Sequence, residues 1–217
     1  MMNPVRRTSI ATGVLFLLAT VAALAAGAVV PVLTGPDAPT GLAGQHDRLA
    51  AAALLYLVAA GTSVGIAVAL YPLLKTLHAG LALGSVVFRT IEAVFYAVAV
   101  VALLSLRSIA EPSVADSVIS MRDSASVVGV LAFCTGALMY YVVFYRSRLV
   151  PRWLSGWGMV GVFLMAVACL LALFSGNPVT GYTLLALPIG VQEMVLAVWL
   201  LARGFSQQHI VAGAASD

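Results

Sequence analysis

The chain has 217 residues, of which 62% are hydrophobic and 9% charged, with 11 Lys plus Arg against 8 Asp plus Glu. Soluble domains carry roughly 25% charged residues, so this chain has too little charge to cover a water-facing surface, and its mean hydropathy of +1.08 points to lipid as the solvent. A net charge of +3, spread along the sequence, is too weak for a nucleic-acid surface.

A bilayer core about 30 Å thick is crossed by around 20 apolar helical residues. Six runs reach that length, at approximately 9–30, 49–73, 80–105, 125–145, 153–174 and 181–202. Arg6 and Arg7 precede the first run. A signal peptide is the competing reading there, but the run exceeds the usual apolar region of 7–15 residues. Pro31, Gly35, Pro36 and Pro39 are expected to break the chain after it, and His78 with Gly80 to turn it between the second and third runs.

Glu111-Pro112 interrupts after the third run. The segment 106–124 is expected to be an outer loop. Ser113 and Asp116 in it have the spacing of a capping box. Val114, Val118 and Met121 then recur at helical spacing, either on a short interfacial helix or on an extension of the fourth span. Tyr140, Tyr141 and Tyr145 near the end of the fourth span suit headgroup anchors, with Tyr140 also able to turn toward the interior. The arginine-rich stretch 146–152 leads through Trp153 and Trp157 into the fifth run, and Gly176-Asn177-Pro178 separates that from the sixth. Gly61/Gly65, Gly80/Gly84, Ala23/Gly27 and Ala132/Gly136 are small-residue pairs of the kind that let helices approach in lipid.

Lysine and arginine bias orients the spans. With the N-terminus inside, seven basic residues lie in inner segments (Arg6, Arg7, Lys75, Arg146, Arg148, Arg152, Arg203) and three in outer ones (Arg48, Arg107, Arg122). The expected fold is therefore all-α: one transmembrane domain over residues 1–217, a six-helix bundle with both termini cytoplasmic. The abundance of Ala, Val, Gly and Leu suits a GC-rich bacterial source and hence an inner-membrane location.

The remaining basic residue, Arg89, lies inside the third run in the stretch VFRTIEAVFY. Glu92 follows three residues later and so shares its helical face, and Ser85 and Tyr96 extend the same stripe. The sixth run carries Gln192 and Glu193 just beyond Pro188 and Gly190. From a rise of about 1.5 Å per residue, Arg89 and Glu193 lie roughly 13 Å from the inner ends and Glu92 about 18 Å. The third and sixth helices are expected to touch, with Arg89 bridging or lying near both carboxylates. Charges at the bilayer centre cost about 2.5–3.5 kcal/mol each, so all three are expected to face the bundle interior. One cation against two carboxylates leaves a surplus negative charge, to be met by a proton, a bound cation or water.

No motif for a cofactor or metal appears. Cys134 and Cys169 lie within apolar runs outside any Cys/His cluster, and His46, His78 and His209 fall at span ends or in tails. Hydrolase and nucleotide-binding signatures are absent too.

Three segments, VVFRTIEAVFYAV, YYVVFYRSRLVPRWLSGWGMVG and GVQEMVLAVWLLARGF, together resemble a family of bacterial multi-pass membrane proteins known as domain of unknown function 4386. The resemblance runs from the first span to Phe205 and implies an intact six-span protein, with no reaction, ligand or catalytic residue to carry over. The leading expectation is a non-enzymatic membrane protein handling a small solute, an ion or a proton. Its candidate binding residues are Arg89, Glu92, Glu193, Gln192, Tyr96 and Ser85. The alternatives are a structural or regulatory protein acting through a protein partner or a homodimer, and an intramembrane enzyme acting on lipid. The bilayer is the one partner common to all three.

Overall fold

The computed structural model describes residues 3–34, 46–109 and 111–206, with the backbone alone at 27 and 30–34. The described residues form helices and no strand: α1 (Pro4–Thr34), α2 (His46–Ser105), α3 (Pro112–Ser147), α4 (Arg152–Ser175), a 3-10 turn at Val179–Tyr182 and α5 (Thr183–Ala202). All five α-helices are long and apolar enough to cross a membrane.

α2 is not one rod. At His78 the backbone leaves helical values (φ −154°, ψ 86°), and the chain folds back on itself. Ser63 Oγ donates to Glu92 Oε2 at 2.6 Å, where a continuous helix would hold the two residues about 43 Å apart. Farther from the hinge the Tyr56 and Tyr96 rings lie 5.8 Å apart. At the ends Arg107 Nη2 donates to the His46 carbonyl at 2.8 Å. The arms 46–77 and 79–105 are thus antiparallel.

The same opposed numbering recurs around the molecule. Gly65 faces Leu15, Gly136 faces Phe88 and Arg89, Gly158 faces the Tyr141 ring, and Gly161 faces the Ile189 backbone. Gly13 faces Ala197 and Leu201, and Arg6 donates to the carbonyls of Leu200 and Leu201 at 3.1 and 2.6 Å. α1 therefore packs on the first arm of α2, the second arm on α3, α3 on α4, α4 on α5, and α5 back on α1. The result is a closed ring of antiparallel helices. Two contacts pin one end of it: Phe205 N donates to Ser9 Oγ at 3.0 Å, and Ser206 N to the Leu149 carbonyl at 2.9 Å.

Polarity is inverted relative to a protein in water. Phe174 and Leu184 are more than 80% exposed, whereas Arg89, Glu92, Gln192 and Glu193 are buried. α1 shows the pattern within one helix. Val14, Leu18, Val21 and Leu24 point outward, while Ser9, Thr12, Phe16 and Thr20 point inward.

Several expectations are corrected. α1 continues through Pro31 to Thr34, so this proline does not end the helix, although it forfeits the bond to the carbonyl four residues back. Of the two alternatives for 106–124, the extension of the fourth span is the one observed: α3 starts at Pro112, so the segment is mostly helix and not an outer loop. No capping box forms at Ser113. Glu111 is the N-cap, and Pro112 opens the helix, where its missing N–H would have lacked a partner anyway. Arg122 is buried in α3 beside its ion-pair partner Asp123 rather than in an exposed loop. Tyr140 and Tyr141 are core residues rather than headgroup anchors, and only Tyr145 is exposed.

Candidate functional site

Arg89 and Glu92 lie one turn apart on the inner face of the second arm of α2, with their charged groups 3.1 Å apart. The pairing is electrostatic contact without an aligned hydrogen bond, since Nη1 and Nε of Arg89 lack hydrogen-bond partners. The carboxylate gains its bond from Ser63 across the hinge, and the Tyr96 phenol, half-buried one turn on, also faces it. The guanidinium lies over the Phe133 ring at 4.8 Å, an arrangement in which the ring quadrupole favours the cation.

Gly136 lets α3 approach this closely. A Cβ there would lie 3.2 Å from Arg89 Cγ and 3.1 Å from Phe88 Cβ. The Ala132/Gly136 pair therefore packs within the chain, as do Gly65 and Gly84, whereas Gly61 and Gly80 face open space.

Glu193 enters from α5, and its partner is one that sequence reasoning missed. Thr20 of α1 donates to Glu193 Oε2 at 3.0 Å, while Oε1 has no hydrogen-bond partner. Among the described residues Arg89 makes no ion pair with Glu193; its salt bridge is to Glu92. Of the two expected arrangements, bridging both carboxylates is not observed, whereas Arg89 does lie within electrostatic reach of Glu193 and of Tyr140. The cause is the ring. α5 packs chiefly against α1 and α4, and the second arm of α2 chiefly against α3, so the two helices meet only across the interior.

Tyr140 occupies that interior. It is fully buried, its ring is 6.1 Å from that of Phe16, and its hydroxyl has no hydrogen-bond partner. Ser85 and Thr12 are also buried with unpartnered hydroxyls. Together, Arg89, Glu92, Glu193, Ser63, Thr20 and Tyr140 form one polar core inside an apolar shell.

Gln192 does not join it. One residue along an α-helix is a turn of about 100°, which aims Gln192 at α3 and α4 instead. Tyr141 OH donates to its Oε1 at 2.5 Å, and its Nε2 donates to the Leu154 carbonyl at 3.0 Å. With both ends of the amide engaged, Gln192 is a clasp between helices. The signal for Thr20 was present in the sequence: Ser9, Thr12, Gly13, Phe16 and Thr20 recur at helical spacing in an otherwise apolar run. No group of three or more metal-ligating side chains occurs among the described residues.

Neither the curated proteins nor the solved structures yield a match to this chain. One family model matches, over residues 11–204, which takes in every helix of the ring and the whole polar core. The chain belongs to the family described as Domain of unknown function (DUF4386).

Proposed function

We propose that this is a six-crossing protein of the bacterial inner membrane, with both termini in the cytoplasm, that handles a proton or a small cation through Glu193. Six crossings follow if each arm of α2 spans the bilayer. Parity supports this count: a ring of antiparallel helices closes only with an even number of members, and α1 is antiparallel to α5. Basic residues support the orientation, because Arg6, Lys75, Arg148 and Arg203 fall at one end of the ring.

The observation that carries the functional reading is an imbalance in the core. The one guanidinium there is in contact with Glu92, which leaves Glu193, 8% exposed, with a single neutral partner and one bare oxygen. An uncompensated carboxylate in such a place costs several kcal/mol. A proton or a monovalent cation at Glu193 removes that cost, and the buried Tyr140 phenol lies within electrostatic reach of the carboxylate.

The test is flux through the full chain reconstituted in liposomes loaded with a pH-sensitive dye, under imposed proton, sodium and potassium gradients. The wild type is expected to dissipate at least one gradient, Glu193→Gln to abolish the flux and Arg48→Ala to leave it intact. A wild type silent under all three gradients refutes the proposal. The competing reading, charges that lock helix packing while a protein partner supplies the activity, draws on the closed Arg89–Glu92–Ser63 unit.

A further inference from the structure

The C-terminal end of α5 meets the α3–α4 turn in a cavity of about 530 Å³. Arg148, Arg152 and Arg203 line it, with Trp199, Leu149 and Phe205 forming its apolar wall. All three arginines are exposed, and none has an ion-pair partner among the described residues. The lining contains no acidic side chain. Two of the arginines are held by aromatic rings, Arg152 at 5.3 Å over Tyr145 and Arg203 at 5.2 Å over Trp199. Stacking restrains the planar groups while leaving their N–H edges free for an anion.

The turn itself is anchored. Arg148 adopts a left-handed backbone (φ 51°), and Ser206 N is bonded to the Leu149 carbonyl. Arg6, another arginine at this end, is already committed to the α5 carbonyls.

A second cavity, of about 390 Å³, continues from the first along α5. It shares Trp199 and Arg203 with the arginine basin, and Val191, Met194, Val195 and Val198 complete its apolar wall. A basic basin at a helix end thus opens directly into an apolar groove that runs toward the middle of the bundle along its outer surface.

We propose that this pair of cavities binds one anionic phospholipid, with its phosphate in the Arg148–Arg152–Arg203 basin and an acyl chain along the groove on α5. A soluble phosphate would use the basin and leave the groove empty. A zwitterionic lipid would bring a cation against three unpaired arginines. Polar and apolar parts joined in this order match an anionic lipid whose headgroup lies at the membrane surface.

The experiment is native mass spectrometry of the full chain in detergent, titrated in parallel with dioleoyl phosphatidylglycerol, dioleoyl phosphatidylcholine and glycerol 3-phosphate. Each basic residue near an anionic surface is expected to contribute about fivefold in affinity. Phosphatidylglycerol should therefore bind at least tenfold more tightly than phosphatidylcholine. Arg152→Gln and Arg203→Gln should each weaken phosphatidylglycerol about fivefold, and the triple variant that adds Arg148→Gln about a hundredfold. Equal binding of the two lipids overturns the proposal, and so does glycerol 3-phosphate matching phosphatidylglycerol, which would reduce the site to a phosphate pocket. The wild-type comparison and the exposed single variants decide the matter even if the triple variant does not fold. Flux through Glu193 is a separate measurement and bears on neither outcome.

Discussion

Glu92 and Glu193 are chemically identical and both buried, yet their surroundings give them different roles. Glu92 touches Arg89, so removing its charge strands a buried cation. Glu92→Gln is expected to destabilise the protein by about 3–5 kcal/mol, the usual cost of breaking a buried pair from one side. Glu193→Gln keeps an acceptor for Thr20 and removes a charge with no contacting partner. It is expected to change stability by no more than about 1 kcal/mol. Thermal unfolding of both variants in detergent checks this, with the exposed Arg48→Ala as reference; equal losses would show that both carboxylates depend on the guanidinium. Arg89 and Glu92 were legible in the sequence because a three-residue spacing within one helix determines that they share a face. The small-residue stripe of α1 hinted at an inward face, but that Thr20 would meet Glu193 was not legible, because a hydroxyl in an apolar run reads the same whether it faces lipid, its own backbone or a carboxylate. Thr62 illustrates the difference: adjacent to Ser63, it bonds to the carbonyls of Val58 and Ala59 while Ser63 reaches Glu92.

Among the helices, contact depends on glycine where two backbones meet. A Cβ on Gly161 would lie 3.0 Å from the Ile189 backbone, which cannot move aside as a side chain can, whereas Gly61 faces open space. Gly161→Ala is expected to cost about 1–3 kcal/mol through overpacking. Gly61→Ala should gain up to about 1 kcal/mol from helix propensity. Chemical denaturation of the two variants should move in opposite directions; matching shifts would mean that α4 and α5 are not in close contact. The hinge of α2 makes a second prediction. Tyr56→Cys with Tyr96→Cys should cross-link through a short bifunctional reagent, because the rings are 5.8 Å apart in the folded-back helix. In a straight helix the two positions would lie about 60 Å apart, beyond any such reagent. The sequence pointed to a short turn here from His78 and Gly80, but not to how little backbone it takes: one residue with non-helical angles suffices.

For the molecule as a whole, the ring assigns every helix end to one of two faces. Lys75→Cys and Arg148→Cys are expected to react with a membrane-impermeant thiol reagent only from the cytoplasmic side in cells, and Arg107→Cys only from the opposite side. The native Cys134 and Cys169 are buried and should stay silent. Labelling of Lys75→Cys and Arg107→Cys from the same side would mean that the arms of α2 do not each cross. Composition and the lengths of the apolar runs by themselves determined the solvent, the helical class and the approximate limits of the spans, because a bilayer core accepts only long apolar stretches with internally satisfied backbones. The three ionisable side chains inside those spans were equally legible, since a charge stands out against so apolar a background. Which charges touch was decided only by the tertiary structure. Depth along a helix places Arg89 and Glu193 at one level, but the order of helices around the ring sets them on elements that do not pack side by side. Glu193 consequently meets Thr20 of α1, and Arg89 keeps to Glu92.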